Sequence, residues 1–523
     1  MLFKCPDWYT FSSSFRSYFL SVPLSWQFFD RKAEISMTQA TFLEAELQQL
    51  ECHFTWELKK EDTDITEVLN RLENHETLCF GGKAGLAQTY NSLAYVKYLL
   101  GSSTEALTHL QKSMELTREF HKDNCDKWLI VIYGNLAWLH HHMKDYSECE
   151  NYLQKLREIA EKFPPDSPST LHHEVLGEKA WALFKFSFHF YERAKDCFKK
   201  ALELEPTNPS WNTGYAFVLH RTEKNVSFSS ADESPTIQQL HLAIDTDPEN
   251  DELKALLALR LGKFGQFDEA ESLVEKALEG SPNAPNVIRY VGKFLRIYGC
   301  VDRSIDVLKR VLESFPNSGF LHHQIALSYK LALCYKKKIS LQKAVGRDSS
   351  SVASEIQRLR RQCICHLEEA TTLKGCFINA MMELAIQYGE DGMLDRAEKL
   401  FEETLQMAIE KNEFLQQVYL YYGEFLQYRK RCLPLAINCY KECLKMNHKK
   451  IDGKRSAKNL NKIADRYLSK NPNDSRAWGI LGFIHKVKGE NSEAIKCYEK
   501  ALQYKDNDEY LSALCELQLN LKK

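Results

Sequence analysis

Proline and glycine are scarce in this chain, whose 523 residues include 14 prolines and 22 glycines. Because both residues weaken or interrupt helices, their scarcity suits a mostly helical protein. An excess of either charge is also missing, since 69 lysine and arginine residues face 71 aspartate and glutamate residues. The net charge of −2 predicts neither nucleic acid nor membrane as a partner, so an anionic ligand would need a local cationic patch.

Long apolar runs and a tight cysteine framework are missing as well. No run is long enough to cross a membrane, and we expect no membrane partner. The 16 cysteines are scattered, mostly within helical patterns, which excludes the disulfide framework of a small secreted domain. We therefore expect free thiols in a reducing compartment.

Motifs for catalysis and metal binding are also lacking. The stretch "GGKAG" at 81–85 does not have the spacing of a phosphate-binding P-loop, and neither HExxH nor a nucleophile elbow occurs. The stretch "CICH" at 363–366 has no second ligand pair at a zinc-like spacing. The sequence thus predicts no enzymatic activity, no metal and no cofactor.

A repeat of helix pairs dominates the rest of the chain. In "AWGILGFIHKVKGENSEAIKCYEKALQY", Gly482, Gly489, Ala494, Tyr498 and Ala501 fall where the 34-residue tetratricopeptide pattern places small and large residues. Three more clear copies and six weaker ones give about ten helix pairs. Such pairs bury their apolar faces only by stacking. The pattern therefore predicts an all-α tetratricopeptide-repeat superhelix with a positively charged central groove or tunnel.

Changes in composition divide the chain into a tail and three subdomains. Residues 1–36 are rich in aromatics and lack a clean cleavage site, so we interpret them as an extension outside the fold. Repeat subdomains are predicted over 37–210, 211–446 and 447–523. Polar loops are predicted at 222–235 and 336–355, and a polar break in the repeat at 447–459.

The stretch "RYVGKFLRIYG" places Arg289, Lys293 and Arg296 at i, i+4 and i+7, on one face of a helix without a carboxylate. With Gly292 at position 8 of its repeat, all three occupy positions that line the groove. By the same register, Arg221, His323 and Lys330 also line it. A basic groove interleaved with aromatics could bind the phosphates and bases of nucleic acid. An acidic peptide, or cations paired within the fold, are the alternatives.

Several stretches resemble the interferon-induced proteins with tetratricopeptide repeats, the IFIT family: "LECHFTWELKKED" (50–62), "GNLAWLHHHMKDYSE" (134–148), "FYERAKDCFKKALELEP" (190–206), "FLHHQIALSYK" (320–330) and "LSALCELQL" (511–519). The resemblance implies a cytoplasmic, non-catalytic antiviral effector. Such a protein clamps the 5′ end of foreign single-stranded RNA, bearing a triphosphate or a cap without 2′-O-methylation, in a cationic tunnel. It implies no DNA ligand. A scaffold for acidic peptides in innate immune signalling is the alternative.

Matching motifs carry the family's site residues onto this chain. The resemblance implies that Arg71, Lys185, Tyr191 and Arg221 contact the 5′ phosphates. It implies that the backbone and bases of the first nucleotides contact Arg289, Tyr290, Lys293, Arg296, His323 and Gln324. Trp181 matches an aromatic that stacks on the cap, although its repeat position is usually a packing site. Ser210 replaces an acidic residue that helps to read the capped guanine.

The last strong repeat contains a candidate association element. Tyr498 and Leu502, spaced i and i+4, resemble the YxxxL element through which some family members associate. Ordinary packing within the repeat explains the same residues equally well. Because a terminal repeat lacks a neighbour, its outer face needs either a partner or the helix predicted in "DEYLSALCELQLNLKK".

Overall fold

The chain is described here from a computed structural model, whose described residues are 41, 43–77, 82–164, 171–223, 228–342 and 349–521. These residues divide into two compact units, of which unit 1 ends at Leu253 and unit 2 begins at Lys254. The predicted extension over 1–36 lies outside the described residues. The three predicted subdomains, with boundaries at 210 and 446, stay a prediction.

Unit 1 is built from α-helices joined by short connections. A helical stretch over 43–47 comes first. The complete helices that follow are α1 Ile65–Thr77, α2 Gly82–Leu99, α3 Ser103–His121, α4 Asp126–His142, α5 Tyr146–Lys162, α6 His173–Phe186, α7 Tyr191–Leu204, α8 Pro209–Thr222 and α9 Pro235–Thr246. Short 3₁₀ turns cover Lys60–Asp62, Lys122–Asn124 and Phe188–Phe190. Helix α10, Asp251–Lys263, contains the boundary between the units.

Unit 2 continues in the same way. Its helices are α11 Phe267–Gly280, α12 Pro285–Ile297, α13 Val301–Ser314, α14 Gly319–Gln342, α15 Ser349–Leu373, α16 Ile378–Asp391, α17 Leu394–Lys411, α18 Leu415–Phe425, α19 Leu433–Met446, α20 Ile451–Lys470, α21 Ser475–Lys488, α22 Asn491–Tyr504 and α23 Asp508–Leu521. A π-helical turn, Leu426–Lys430, follows α18. The described ranges contain no β-strand, and the predicted all-α tetratricopeptide-repeat fold is confirmed.

Consecutive helices pack against each other as pairs, as the repeat pattern predicts. The packed pairs are α2–α3, α4–α5, α6–α7 and α8–α9 in unit 1, and α12–α13, α14–α15, α16–α17, α18–α19 and α21–α22 in unit 2. Small residues allow the close approach: Ala194, Ala201, Ala494 and Ala501 are fully buried. A Cβ at Gly482 would lie 2.9 Å from the ring of Tyr498, so the pair α21–α22 needs glycine there.

The polar loop predicted at 336–355 in unit 2 is wrong over most of its length. Helix α14 continues to Gln342 and α15 begins at Ser349, so only 343–348, outside the described residues, separate them. At least one polar side chain of this segment stabilises the helix, because Lys337 forms an ion pair with Glu390 of α16 at 2.9 Å. The segment 447–459 leads into α20, whose small and apolar residues are buried at a helical spacing. The break in the repeat predicted there stays a prediction. In contrast, residues 228–234 are non-helical, which confirms that part of the loop predicted at 222–235.

The last helix, α23, covers the association element predicted in α22. Tyr498 is 3% exposed and packs with Tyr510, Ala513, Leu514 and Leu517 of α23. Leu502 is half-buried against the same cluster. The structure therefore places Tyr498 in the core of unit 2, as the packing alternative expects. Association through Leu502 stays a prediction.

None of the described helices is both long enough and apolar enough to cross a membrane. Each described cysteine has a free thiol. In the same part of the chain, no three histidine, cysteine, aspartate or glutamate side chains are grouped so that they could hold a metal ion.

Candidate anion-binding sites

Unit 1 brings together two of the predicted phosphate-binding cations. The guanidinium of Arg71, on α1, donates hydrogen bonds to the carbonyl oxygens of Lys185 and Phe186, the latter at 3.4 Å. These carbonyls belong to the last turn of α6, where they have no partner within the helix and carry partial negative charge. Arg71 thereby caps α6 and lies next to Lys185, 114 residues later in the chain.

The surroundings of Lys185 destabilise its positive charge. The pKa of its ammonium group is lowered to about 8, mainly by burial and also by the positive charge of Arg71, while the carboxylate of Glu178 acts in the opposite direction. Its Nζ lies 3.4 Å from the hydroxyl of Thr89 and 5.4 Å from the centre of the Trp181 ring. In the described part of the chain, no carboxylate forms an ion pair with Lys185. The site thus holds positive charge at a cost that a bound anion would offset.

Tyr191 and Arg221 complete this cluster. Arg71 is accessible to water, yet the surrounding protein removes enough of its hydration to lower the pKa of its guanidinium. Tyr191 and Glu67 act against this shift, whereas the charge of Arg221 adds to it. The other three predicted phosphate contacts therefore lie close enough to Arg71 to interact with it electrostatically. We call Arg71, Lys185, Tyr191 and Arg221 the unit 1 cluster.

A buried carboxyl that sequence reasoning missed supports this cluster. Glu178 precedes Lys185 by two turns of α6, and burial raises the pKa of its carboxyl group. Its Oε1 accepts a hydrogen bond of 3.0 Å from the amide of Asn91, on α2. Asn91 accepts one of 2.6 Å from Asn135, on α4, whose own Oδ1 accepts from the backbone N–H of His53 at 3.0 Å. The sequence does contain a signal for this buried carboxyl, namely a glutamate on the apolar face of α6.

Trp181 is held beside the unit 1 cluster by packing and by one hydrogen bond. Its indole N–H donates to the hydroxyl of Ser210 at 3.1 Å. The ring meets the buried ring of Phe198 edge to face, with the centroids 5.4 Å apart. The packing interpretation therefore holds for part of the Trp181 side chain. Cap stacking stays a prediction, and Ser210 takes a positioning role that the sequence did not indicate.

Unit 2 holds the predicted nucleotide contacts of α12. Lys293 is exposed and Arg289 half-buried, whereas Arg296 is 9% exposed. The guanidinium of Arg289 donates to the hydroxyl of Tyr290 at 2.6 Å and lies over that ring. The three cations share a helix face as predicted, but they differ in their access to water.

Arg296 connects α12 to α14. Its guanidinium donates to the side-chain oxygen of Gln324 at 2.9 Å, and burial lowers its pKa to about 10. His323 is buried beside Phe377, and loss of hydration together with the charges of Arg296 and Lys330 lowers the pKa of its imidazole to about 4. Within the described residues, no carboxylate pairs with Arg296 and no partner faces the ring nitrogens of His323.

Lys330 behaves differently, because its ammonium forms an ion pair with Glu383. For this one cation the alternative of charge paired within the fold holds. The structure thus brings together the unit 1 cluster, and separately the residues of α12 and α14 in unit 2. A single continuous cationic groove or tunnel stays a prediction.

Comparison with known proteins adds to these observations. Family models described as tetratricopeptide repeat match residues 85–171, 191–208 and 475–508. The human protein named Protein IFIT1 homolog B is 36% identical over 463 residues, which cover 88% of this chain and 96% of that protein. The human antiviral innate immune response effector IFIT1 is 34% identical over 460 residues, covering 87% and 95%.

Solved structures of IFIT1 share the fold. The human IFIT1 dimer with PPP-AAAA is 32% identical and gives a TM-score of 0.71 over 89% of this chain and 100% of that one. A monomeric mutant of IFIT1 with Gppp-AAAA, also 32% identical, gives 0.75 over 88% and 99%.

Proposed function

Because the chain belongs to the family of interferon-induced proteins with tetratricopeptide repeats, we propose that it is an interferon-induced antiviral effector that binds the 5′ end of foreign single-stranded RNA. The 5′ end carries a triphosphate or a cap lacking 2′-O-methylation. Binding blocks translation or replication of that RNA. Support comes from the relatives, since IFIT1 has been solved with PPP-AAAA and with capped oligonucleotides.

The unit 1 cluster is the observation that carries this proposal. Burial lowers the pKa values of Arg71 and Lys185, and the charges of Arg71, Lys185 and Arg221 lie close enough that their repulsion adds to this shift. Elsewhere in the chain, cations such as Lys330 and Lys337 are paired with carboxylates. A triphosphate supplies the missing negative charge and accepts charge-assisted hydrogen bonds from all three residues.

The rest of the proposal follows from the family. The protein acts in the cytoplasm by sequestering RNA and catalyses no reaction. Association with related repeat proteins, in which Leu502 takes part, belongs to the same proposal. Light scattering of wild type and of Leu502→Glu tests the role of Leu502 in association. Equal masses in both samples would contradict that role.

A mobility-shift titration compares one RNA sequence bearing a 5′-triphosphate with the same sequence bearing a 5′-hydroxyl. We expect the triphosphate form to bind more tightly by at least about three orders of magnitude, because roughly three charge-assisted contacts of about 1.5–3 kcal/mol each depend on it. A blunt duplex and an acidic peptide serve as controls. Equal affinity for both 5′ ends, or preference for the peptide, contradicts the proposal.

The pH dependence of binding tests Lys185 directly. Its ammonium is mostly protonated at pH 7, but with a pKa of about 8 only about one molecule in ten keeps the proton at pH 9. A bound phosphate requires that proton. Affinity for 5′-triphosphate RNA should therefore fall about tenfold as pH rises from 7 to 9.

Fluorescence anisotropy at pH 7, 8 and 9 measures this fall, with Lys185→Arg as the matched control. A guanidinium stays protonated throughout the range, so the variant should show a flat profile, whatever its absolute affinity. The same tenfold fall in Lys185→Arg would assign the titration to another group.

A further inference from the structure

Helix α20 carries a row of cations along its outer surface. Lys454, Lys458, Lys462, Arg466 and Lys470 follow one another at intervals of four residues, and all five are exposed. At 1.5 Å per residue, this row places one positive charge roughly every 6 Å over a length of roughly 24 Å. Over 449–470 the sequence has eight basic residues and two acidic ones, in a chain that is otherwise balanced.

The row is not neutralised within the fold. Arg455, on the same helix, forms an ion pair with Glu424 at 2.6 Å. No ion pair involves the five residues of the row within the described part of the chain. The acidic residues of α20, Asp452 and Asp465, form none there either.

Helix stability does not explain this arrangement. Cations four residues apart repel each other along a helix, and those in the first half of α20 also oppose the helix dipole. The buried face of α20 is complete without them, because Ala457, Leu460, Ile463 and Ala464 pack against the rest of unit 2. The row therefore lowers the stability of α20, and a bound anionic ligand would offset this repulsion between its cations.

The chemistry of the row indicates its partner. Protein interfaces have an apolar or aromatic core and contain few lysines, and membrane-binding helices expose large apolar residues. On the described face of α20, Ile451 is the large apolar residue that is exposed, and it lies at the first position. Evenly spaced lysines without an apolar core suit a chain of phosphates, which needs charge and no shape-specific pocket.

We propose that the α20 row is a second RNA contact, which binds the phosphate backbone independently of sequence and of the 5′ end. This inference rests on the proposed function, since it assumes that RNA is the ligand. It assigns to unit 2 an outer surface that holds the body of an RNA molecule. Affinity for long RNA then exceeds that for a short oligonucleotide with the same 5′ end.

The experiment uses the full chain and 5′-triphosphate RNAs of five and forty nucleotides. In one variant, Lys454→Gln, Lys458→Gln and Lys462→Gln are combined. In the matched control, Lys276→Gln, Lys399→Gln and Lys488→Gln remove three exposed lysines from three other helices of unit 2. Circular dichroism verifies that both variants keep the wild-type helix content.

We expect the row variant to bind the five-nucleotide RNA like wild type and the forty-nucleotide RNA about tenfold more weakly at 0.1 M salt. Its slope of log affinity against log salt should fall by about two for the long RNA, since single-stranded binding loses about 0.7 per phosphate contact. The control should stay within twofold of wild type for both RNAs.

Other outcomes overturn the inference. An equal loss in the control would make net charge the cause, and unchanged binding of the long RNA would leave the row without a role. A loss for both RNA lengths would make the row part of the 5′ site. Binding of poly-glutamate or of phosphatidylserine vesicles that depends on the row, with long-RNA binding intact, would assign it to an acidic protein or a lipid surface.

The proposed function fails separately, if wild type does not distinguish 5′-triphosphate from 5′-hydroxyl RNA. The row is then tested with the 5′-hydroxyl forty-nucleotide RNA at low salt. Loss of that binding in the row variant, and not in the control, would still support the α20 contact.

Discussion

Arg221→Glu or Lys185→Glu should each abolish binding of 5′-triphosphate RNA while leaving the helical fold intact. Each charge-assisted hydrogen bond contributes about 1.5–3 kcal/mol, and reversal of the charge adds repulsion between the new carboxylate and the phosphates. Together these effects correspond to a loss of at least about 100-fold. Fluorescence anisotropy with a labelled 5′-triphosphate oligonucleotide measures the loss, and circular dichroism monitors the fold.

The matched control is Lys199→Glu, which makes the same change of charge in the same unit. Lys199 is exposed on α7 and is not part of the unit 1 cluster. Its substitution should change affinity by less than twofold. Wild-type binding by Arg221→Glu or Lys185→Glu, in a protein of unchanged helix content, would mean that the unit 1 cluster does not hold the phosphates.

Gly177→Ala should lower the stability of unit 1 by about 3 kcal/mol, an effect at the upper end of overpacking. A Cβ on Gly177 would lie 2.1 Å from the indole nitrogen of Trp211 and 2.5 Å from a ring carbon. Trp211 is fully buried and contacts Trp128 and His173, so its ring has little room to move. In a thermal melt we expect a midpoint roughly 10 °C lower.

Gly375→Ala is the matched control, because it makes the same chemical change where nothing lies within 4 Å of the new Cβ. Its melting midpoint should equal that of wild type or rise slightly, since alanine restricts the unfolded chain. If both variants melt like wild type, the close approach of α6 and α8 at Gly177 is not rigid.

The repeat was predictable because its evidence is local and recurs through the chain. Small residues such as Ala494 and Ala501 lie at a fixed spacing, and a misjudged position in one copy is corrected by the others. The loop at 336–355 was mispredicted because polar composition was given more weight than periodicity, and α20 is a second polar segment in which periodicity indicates a helix. In α20, Ala457, Leu460, Ile463 and Ala464 already show helical spacing in the sequence, and they are the residues that the helix buries.

The identities of the candidate site residues could be predicted from the sequence, but the contacts between them could not. The resemblance indicated Arg71 and Lys185, yet the contact between them joins residues 114 positions apart and depends on where α6 ends. The hydrogen bond from Trp181 to Ser210 joins α6 to the first turn of α8, with α7 between them in the sequence, and no pattern within either helix indicates it. Burial, which distinguishes Arg296 from Lys293 on one helix face, follows from the neighbouring helices.

The hydrogen-bonded series His53–Asn135–Asn91–Glu178 also affects how the chain assembles. Repeats of similar length and similar apolar faces could stack in the wrong order, and apolar contact alone distinguishes such stacks poorly. These polar groups join α4 to α2 and α2 to α6, so they are satisfied only when these three helices are neighbours in that arrangement. A misordered stack would bury them without partners, at about 1–3 kcal/mol for each group. Two asparagines and a glutamate thus encode the register of the stack and oppose domain swapping.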